Sequence, residues 1–235
     1  MAKNELTLRE KRAETDLTVI AVVTLAVLAV YLAFQPVFTS FARDRNLPVL
    51  LRTAGMACMQ FGIAGLGITI VSLLRKEELF SYGLRREGAL RSIILSALMF
   101  LPHLAFLFAA GRLKGYFPFQ FVWTTNEVLA GPFPVKLTGM LITVAAWGFF
   151  EGYNYAVISE IVNKRYPVRN RFLNWGAILC AVICILIHGV IGVTPADFIE
   201  TATVFLIIYG MLIVKEYTGN AWGCVFVFIF LWNAF

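Results

Sequence analysis

Four polar side chains, Glu151, His188, His103 and Asn233, lie inside long apolar stretches of the sequence. At about 1.5 Å of helical rise per residue, Glu151 and His188 lie roughly 18 and 22 Å into their stretches, and His103 and Asn233 roughly 16 and 20 Å. All four are therefore expected near one depth. A carboxylate beside an imidazole can act as a general base with an orienting partner, and an asparagine can stabilise a developing oxyanion. Glu151, His188 and Asn233 are the candidate catalytic residues, and His103 is a secondary candidate.

The same residues also have a structural interpretation, which the sequence leaves open. Glu151 and His188 can form a hydrogen-bonded pair that joins two helices, and His103, which follows Pro102, can bond a carbonyl that the proline frees. Gly148 and Gly152 flank Glu151 four residues apart, a spacing that allows another helix backbone to come close. Gly62, Gly65 and Gly67 likewise predict a close-packing surface.

The apolar stretches that must position these residues dominate the chain. Of 235 residues, 60% are hydrophobic and 14% charged, and the mean hydropathy is +0.78. This composition predicts one all-α transmembrane domain over residues 1–235. Seven stretches are long enough to be considered as crossings of a hydrocarbon layer of about 30 Å, although the last needs tilt or a partner. These are residues 17–39, 48–74, 93–111, 135–162, 173–193, 198–214 and 220–235.

The basic residues predict how the chain is oriented. With residues 1–16 in the cytoplasm, 14 of the 20 basic residues fall on the cytoplasmic side, as the positive-inside rule requires. We therefore expect a multi-pass protein of the cell membrane with a cytoplasmic N-terminus. Residues 75–92 are expected as a cytoplasmic amphipathic link, and residues 113–134 as an outer aromatic loop that is interfacial or re-entrant.

The sequence does not indicate a cofactor or a nucleic-acid partner. The net charge is +6, but the basic clusters sit at the ends of apolar stretches, where anionic lipid headgroups would meet them. No nucleic-acid partner is expected. The four cysteines lie inside apolar stretches without metal-ligand spacing, and P-loop, HExxH, GxSxG and CxxC motifs are absent. We predict no metal and no cofactor.

Four segments within residues 75–235 resemble the CPBP family of CAAX-protease and bacteriocin-processing (Abi) membrane proteins. WGFFEGYNYAVISEIVNKRYP is similar to the family segment with the pattern EExxxRG-aromatic, and SYGLRREGALRSI to its cytoplasmic GLRR-type link. CILIHGVIGV is similar to the second motif, FxxxH, and YTGNAWGCVFVFIFLWNAF to the end that carries TGN-x-W and HxxxN. The resemblance implies a helical membrane fold and intramembrane endopeptidase activity.

The chain departs from the family at the residues that perform this chemistry. The glutamate pair falls on Ala146 and Trp147, and only His188 and Asn233 keep the family's residue type. The other departures are Glu151 for the arginine, Cys184 for the second-motif phenylalanine and Ile229 for the last-motif histidine. In the family, a glutamate activates the attacking water while His and Asn stabilise charge. Glu151 would have to replace the missing glutamate at position 147 from one helical turn away, about 6 Å along an α-helix.

Two functions are consistent with this pattern. In the favoured one, the chain is a catalytically silent relative that binds a hydrophobic peptide, a lipid or a partner subunit in an intramembrane cavity. In the alternative, it is an active endopeptidase that cleaves a membrane-proximal or lipidated peptide, with Glu151 as relocated general base. Whether the chain is an enzyme stays open here. Membrane lipid is an expected partner in both cases.

The orientation can be tested by cysteine labelling. On a cysteine-free background, Asn170→Cys should react with a membrane-impermeant thiol reagent only after the cells are opened, because the loop 163–172 is expected in the cytoplasm. Labelling of this position in intact cells would contradict the orientation.

Overall fold

The computed structural model describes residues 6–167, 170, 172–189 and 192–235, which are helical with no β-strand among them. Lys3, Arg169 and Arg171, three of the basic residues behind the predicted orientation, lie outside the described residues, as do residues 190 and 191 of the predicted fifth span.

Helices α1 to α6 form the first half of the chain. The first begins at a capping box in which Thr7 and Glu10 bond each other's backbone N–H groups. The bounds are α1 Leu8–Ala33, α2 Gln35–Arg43, α3 Val49–Ala64, α4 Leu66–Arg75, α5 Ala89–Ala109 and α6 Thr125–Ala130.

The second half contains two π-helical segments, each continuous with an α-helix. The first, Val144–Phe150, joins α7 to α8, and the second, Val227–Leu231, follows α11. The α-helices are α7 Phe133–Thr143, α8 Glu151–Arg165, α9 Trp175–His188, α10 Pro195–Thr218 and α11 Trp222–Phe226.

Four helices among the described residues are long and apolar enough to cross a membrane, and a fifth crossing results if α3 and α4 are one bent span. These four are Leu8–Ala33, Ala89–Ala109, Phe133–Arg165 and Pro195–Thr218. The helix pair α3 and α4 bends by 58°. By length, α9 and the C-terminal helix 222–231 reach only about 21 and 15 Å. The helices indicate a membrane protein, but the count of seven spans is not confirmed.

Close packing at glycines holds the bent pair against α1. A Cβ atom on Gly67 would lie 3.0 Å from the Ile20 Cα atom, and one on Gly62 would meet the Val27 side chain. This confirms the predicted close-packing surface at these two positions. Gly65 instead lies at the bend between α3 and α4, where an added Cβ would meet the rings of Phe61 and Phe150.

One end of the bundle, which we name the link end, contains residues 75–88. Arg75 pairs with Asp16 at 2.6 Å, and the buried Lys215 pairs with Glu160 at 2.5 Å. The buried Asn220 donates from Nδ2 to the carbonyls of Arg85 and Glu87 at 2.7 and 2.8 Å. The predicted link 75–92 forms no amphipathic helix of its own: residues 76–88 hold the 3-10 turn Leu79–Ser81, and residues 89–92 begin α5. Hydrogen bonds to neighbouring helices fix its backbone.

The opposite end, which we name the loop end, contains residues 34–48 and 113–134. Arg52, only 2% exposed, donates to both carboxylate oxygens of Glu127 at 3.2 and 2.5 Å and to the Ala42 carbonyl at 3.0 Å. Thr53 donates to Thr124 at 2.8 Å. The hydrogen bonds from Arg52 lower the pKa of Glu127, against the opposing effect of burial. The aromatic loop is thereby fastened to the start of α3.

This fastening predicts a loss of stability in Glu127→Gln. The buried Arg52 would lose its counter-charge, which should lower the free energy of unfolding by about 1–3 kcal/mol in detergent melts. Glu87→Gln, which changes an exposed side chain at the link end, is the matched control and should leave the melting temperature unchanged.

The same pair sets a pH dependence. A carboxyl group whose pKa is lower in the folded state adds stability that is complete above its unfolded pKa, about 4.3, and is lost as the pH falls further. The stability difference between the wild type and Glu127→Gln should therefore shrink below about pH 4. A difference that stays constant from pH 7 to pH 3 would show that the pair does not stabilise the loop.

Candidate functional site

Glu151 is the first residue of α8 and is buried in the middle of the long helix 133–165. Its Oε2 accepts a hydrogen bond of 2.9 Å from Nε2 of Gln60 in α3, and its Oε1 lies 3.4 Å from Nε2 of His188 in α9. Both carboxylate oxygens are therefore engaged by side chains of other helices. The structure confirms that Glu151 and His188 are neighbours.

Consecutive antiparallel helices bring the two residues to one height. Glu151 lies 14 residues from the end of α8, about 21 Å, and His188 lies 13 residues from the start of α9, about 20 Å. The helices are in direct backbone contact, because a Cβ atom on Gly176 would lie 2.2 Å from the Ser159 carbonyl oxygen. Asn174 caps α9 by accepting from the Ala177 N–H. The local sequence thus sets the register that places Glu151 beside His188.

Aromatic residues enclose one side of the pair. The Trp232 ring packs edge-on against the His188 ring at a centroid distance of 5.4 Å, and Tyr155 stacks on Phe228, also at 5.4 Å. Cys184, one helical turn before His188, is fully buried. The enclosure is incomplete, since 34% of the His188 side chain is exposed compared with 9% of that of Glu151. His188 is thus the member of the pair that a solute can reach.

The two π-helical segments pack face to face beside this pair. A Cβ atom on Gly148 would lie 3.2 Å from the Ile229 Cα atom, and one on Gly152 would lie 2.7 Å from the Cys224 carbonyl oxygen. The predicted approach of another helix backbone at these glycines is confirmed, and its source is the C-terminal segment. Where the family pattern places a glutamate and a histidine, the chain has the apolar residues Ala146 and Ile229.

The segment before Glu151 is π-helical, so the spacing of an α-helical turn between Trp147 and Glu151 does not apply there unchanged. Trp147 lines a cavity with Tyr31 and Met56, and Glu151 does not line it. The two side chains therefore face different surroundings.

The other two candidate residues lie elsewhere. His103 Nδ1 is 3.0 Å from Thr203 Oγ1 in α10, and its ring packs against Phe100. Asn233 accepts a hydrogen bond at its backbone carbonyl from the N–H of Gln120 in the aromatic loop. Among the described residues, no polar contact joins His103 or Asn233 to the Glu151–His188 pair.

Gln60 is the partner that the sequence did not reveal. Gln60 lies 15 residues before Arg75, the end of α4, and Glu151 lies 14 residues before Arg165, so the two are about 22 and 21 Å along the chain from the link end. An amide at this depth is a weaker signal than a charge, because a neutral side chain is less costly to bury. Matching the depth of every large polar side chain would have found it.

Two cavities open at the loop end. One of about 320 Å³ is lined by Ala42, Arg43, Arg45, Trp123 and Glu127. The other, of about 160 Å³, is lined by Tyr31, Met56, Phe121, Val122, Trp123, Thr124 and Trp147. Neither is lined by Glu151 or His188. Within the described parts of the chain, no group of three or more His, Cys, Asp or Glu residues is placed to hold a metal ion.

Comparisons of the chain with protein-family models, curated proteins and solved structures give no match. The resemblance to the CPBP family therefore depends on the four sequence segments alone. The geometry itself defines a polar contact among three helices: a carboxylate held by an amide and an imidazole inside an apolar bundle. Such a contact can hold the helices together, and it can act as a base where water reaches a free lone pair of the carboxylate.

A double-mutant cycle measures the pinning contribution. Gln60→Met removes the hydrogen-bond donor while keeping a similar volume, and should lower stability by about 0.6 kcal/mol and by no more than about 1.7. In a Glu151→Met background the same change should cost nothing, because its acceptor is gone. Equal costs in both backgrounds, read from unfolding in detergent, would show that the hydrogen bond does not contribute.

Proposed function

We propose that the chain is a multi-pass cell-membrane protein, a divergent relative of the CPBP family, which is catalytically silent and binds a hydrophobic peptide, a lipid or a partner subunit. One observation carries this proposal. The Glu151 side chain is only 9% exposed, and each carboxylate oxygen faces a side chain of another helix, Gln60 at 2.9 Å and His188 at 3.4 Å. A general base needs an oxygen within reach of the water that it deprotonates.

The residues at the family's other catalytic positions also support a protein without catalytic activity. Ala146 is buried, and Ile229 fills the space in front of Gly148. Neither side chain can move a proton or stabilise an oxyanion. Asn233, which keeps the family's residue type, is tied by its backbone to Gln120 of the aromatic loop. The positions of the family's glutamate pair and last-motif histidine thus carry side chains without acid–base chemistry, while His188 and Asn233 keep the family's residue type.

The proposal includes seven passes with the N-terminus in the cytoplasm. The fifth pass would contain α9, and the sixth would be α10, which is long enough to span and whose final turn reaches the link end through Lys215. The seventh would run from Asn220 at the link end to Ala234, whose carbonyl accepts from the Phe117 N–H. The aromatic loop would dip inwards to meet this short helix, as a re-entrant segment does.

A second function is favoured by the exposure of His188. Because 34% of this side chain is accessible and lies against Glu151, water that reaches the imidazole also comes near the carboxylate. In this alternative the chain is an intramembrane endopeptidase of CPBP type. Glu151 would be the general base for cleavage of a membrane-proximal or lipidated peptide.

The variant Glu151→Gln separates the two functions. It keeps the shape of the side chain and most of its hydrogen bonding but removes proton acceptance. For the silent protein we expect full complementation of whatever phenotype a deletion strain shows. An enzyme would lose activity by about 100-fold or more while the protein stays folded, and that result would overturn the proposal.

Glu151→Leu is the companion variant. It leaves both Gln60 and His188 without their acceptor and should lower the free energy of unfolding by about 1–3 kcal/mol. Its melting curve in detergent, compared with that of Glu151→Gln, shows whether a loss of function follows from unfolding or from lost chemistry.

A further inference from the structure

The two cavities at the loop end share the Trp123 side chain and differ in chemistry. The larger, of about 320 Å³, carries Arg43 and Arg45 on its wall. The smaller, of about 160 Å³, is lined by large apolar side chains that include Tyr31, Phe121 and Trp147. A cationic compartment therefore adjoins an apolar one, with an aromatic ring between them. This arrangement matches an amphiphile with a charged head and a hydrocarbon tail.

Positive charge exceeds negative charge around the larger cavity, since Arg43, Arg45 and Arg52 lie near only Glu127 and Asp44. The one acidic lining residue of this cavity, Glu127, is held by the buried Arg52 through both oxygens. Arg45 reaches Glu127 only at 4.0 Å and is 86% exposed. Arg43 lies with its guanidinium carbon 5.0 Å from the centre of the Trp123 ring, a contact that leaves its donors free for an anion.

We propose that these cavities bind one anionic phospholipid, with its phosphate on Arg43 and Arg45 and the upper part of an acyl chain in the cavity between Tyr31 and Trp147. This deepens the proposed function by assigning its ligand class, and it rests on the chain being a membrane-embedded binder. The planar guanidinium groups match phosphate oxygens in pairs. Trp123, 41% exposed, is of the type that occupies the headgroup layer.

A peptide fits the apolar cavity poorly. Its backbone N–H and C=O groups would need partners there, and each unpaired group is costly in apolar surroundings. A hydrocarbon chain requires no such partners. A soluble phosphate ester would use the arginines but leave the apolar cavity empty, so the lipid alone uses both compartments.

Fluorescence quenching by brominated lipid tests the assignment on the full-length chain in phosphatidylcholine nanodiscs. Phosphatidylglycerol with brominated acyl chains should quench tryptophan at a lower mole fraction than brominated phosphatidylcholine does. Arg43→Gln with Arg45→Gln should raise the half-quenching fraction about 30-fold, which corresponds to about 1 kcal/mol for each arginine near the headgroups. In Trp147→Phe, the component of quenching that prefers the anionic lipid should become smaller.

The matched control is the double variant Arg85→Gln with Arg86→Gln. It removes the same amount of charge from two exposed side chains at the link end. This pair should leave the half-quenching fraction unchanged. An equal rise of the half-quenching fraction in both double variants would show a general attraction to charge and would overturn the proposed site. Competition by glycerol phosphate at the concentration of the lipid would overturn it in favour of a soluble ester. Quenching is independent of activity, so failure of the Glu151→Gln complementation would reject the silent function without touching this result.

Discussion

A carboxylate in the middle of an apolar bundle must find its hydrogen bonds inside the protein, because lipid offers none. Glu151 meets this constraint with partners from two other helices, Gln60 in α3 and His188 in α9. Apolar contacts allow helices to slide or rotate by small amounts, whereas a hydrogen bond has a direction and a length. The depth and rotation of three helices are thereby tied to one side chain. The glycine contacts at Gly152 and Gly176 serve the same contact, because they let the helix backbones come close enough for the polar side chains to meet.

The charged groups at the two ends of the bundle pair within each end. Arg75 pairs with Asp16 at the link end, and Arg52 pairs with Glu127 at the loop end. These ion pairs group the chain segments by end. The mostly apolar surface between the ends needs no partner other than lipid, which explains why large hydrophobic side chains are exposed there.

Parts of this structure follow from local sequence and parts do not. Leu8–Ala33, Ala89–Ala109 and Pro195–Thr218 overlap the predicted stretches 17–39, 93–111 and 198–214, because helical hydrogen bonding in lipid is a property of the segment itself. The first stretch was predicted to run through Phe34, where α1 has ended and α2 begins at Gln35. The pairing of Glu151 with His188 followed from matched depth. The bend between α3 and α4 was missed, although the glycines around residue 65 signalled it. The pair of Arg52 and Glu127 was also missed, because it joins residues 75 positions apart and no local pattern predicts such a contact.

The π-helical segment Val144–Phe150 has a consequence for how this chain tolerates insertions and deletions. A π-helical turn holds one residue more than an α-helical turn and absorbs it as a bulge. Loss of a single residue from this segment would remove the bulge and let it wind as an ordinary α-helix, so the later side chains of α8 would keep their direction. The same loss from an α-helical part of this helix would instead turn every later side chain by about 100° around the helix axis. The π-helical segment is therefore the part of the helix where a deletion leaves Glu151 facing His188.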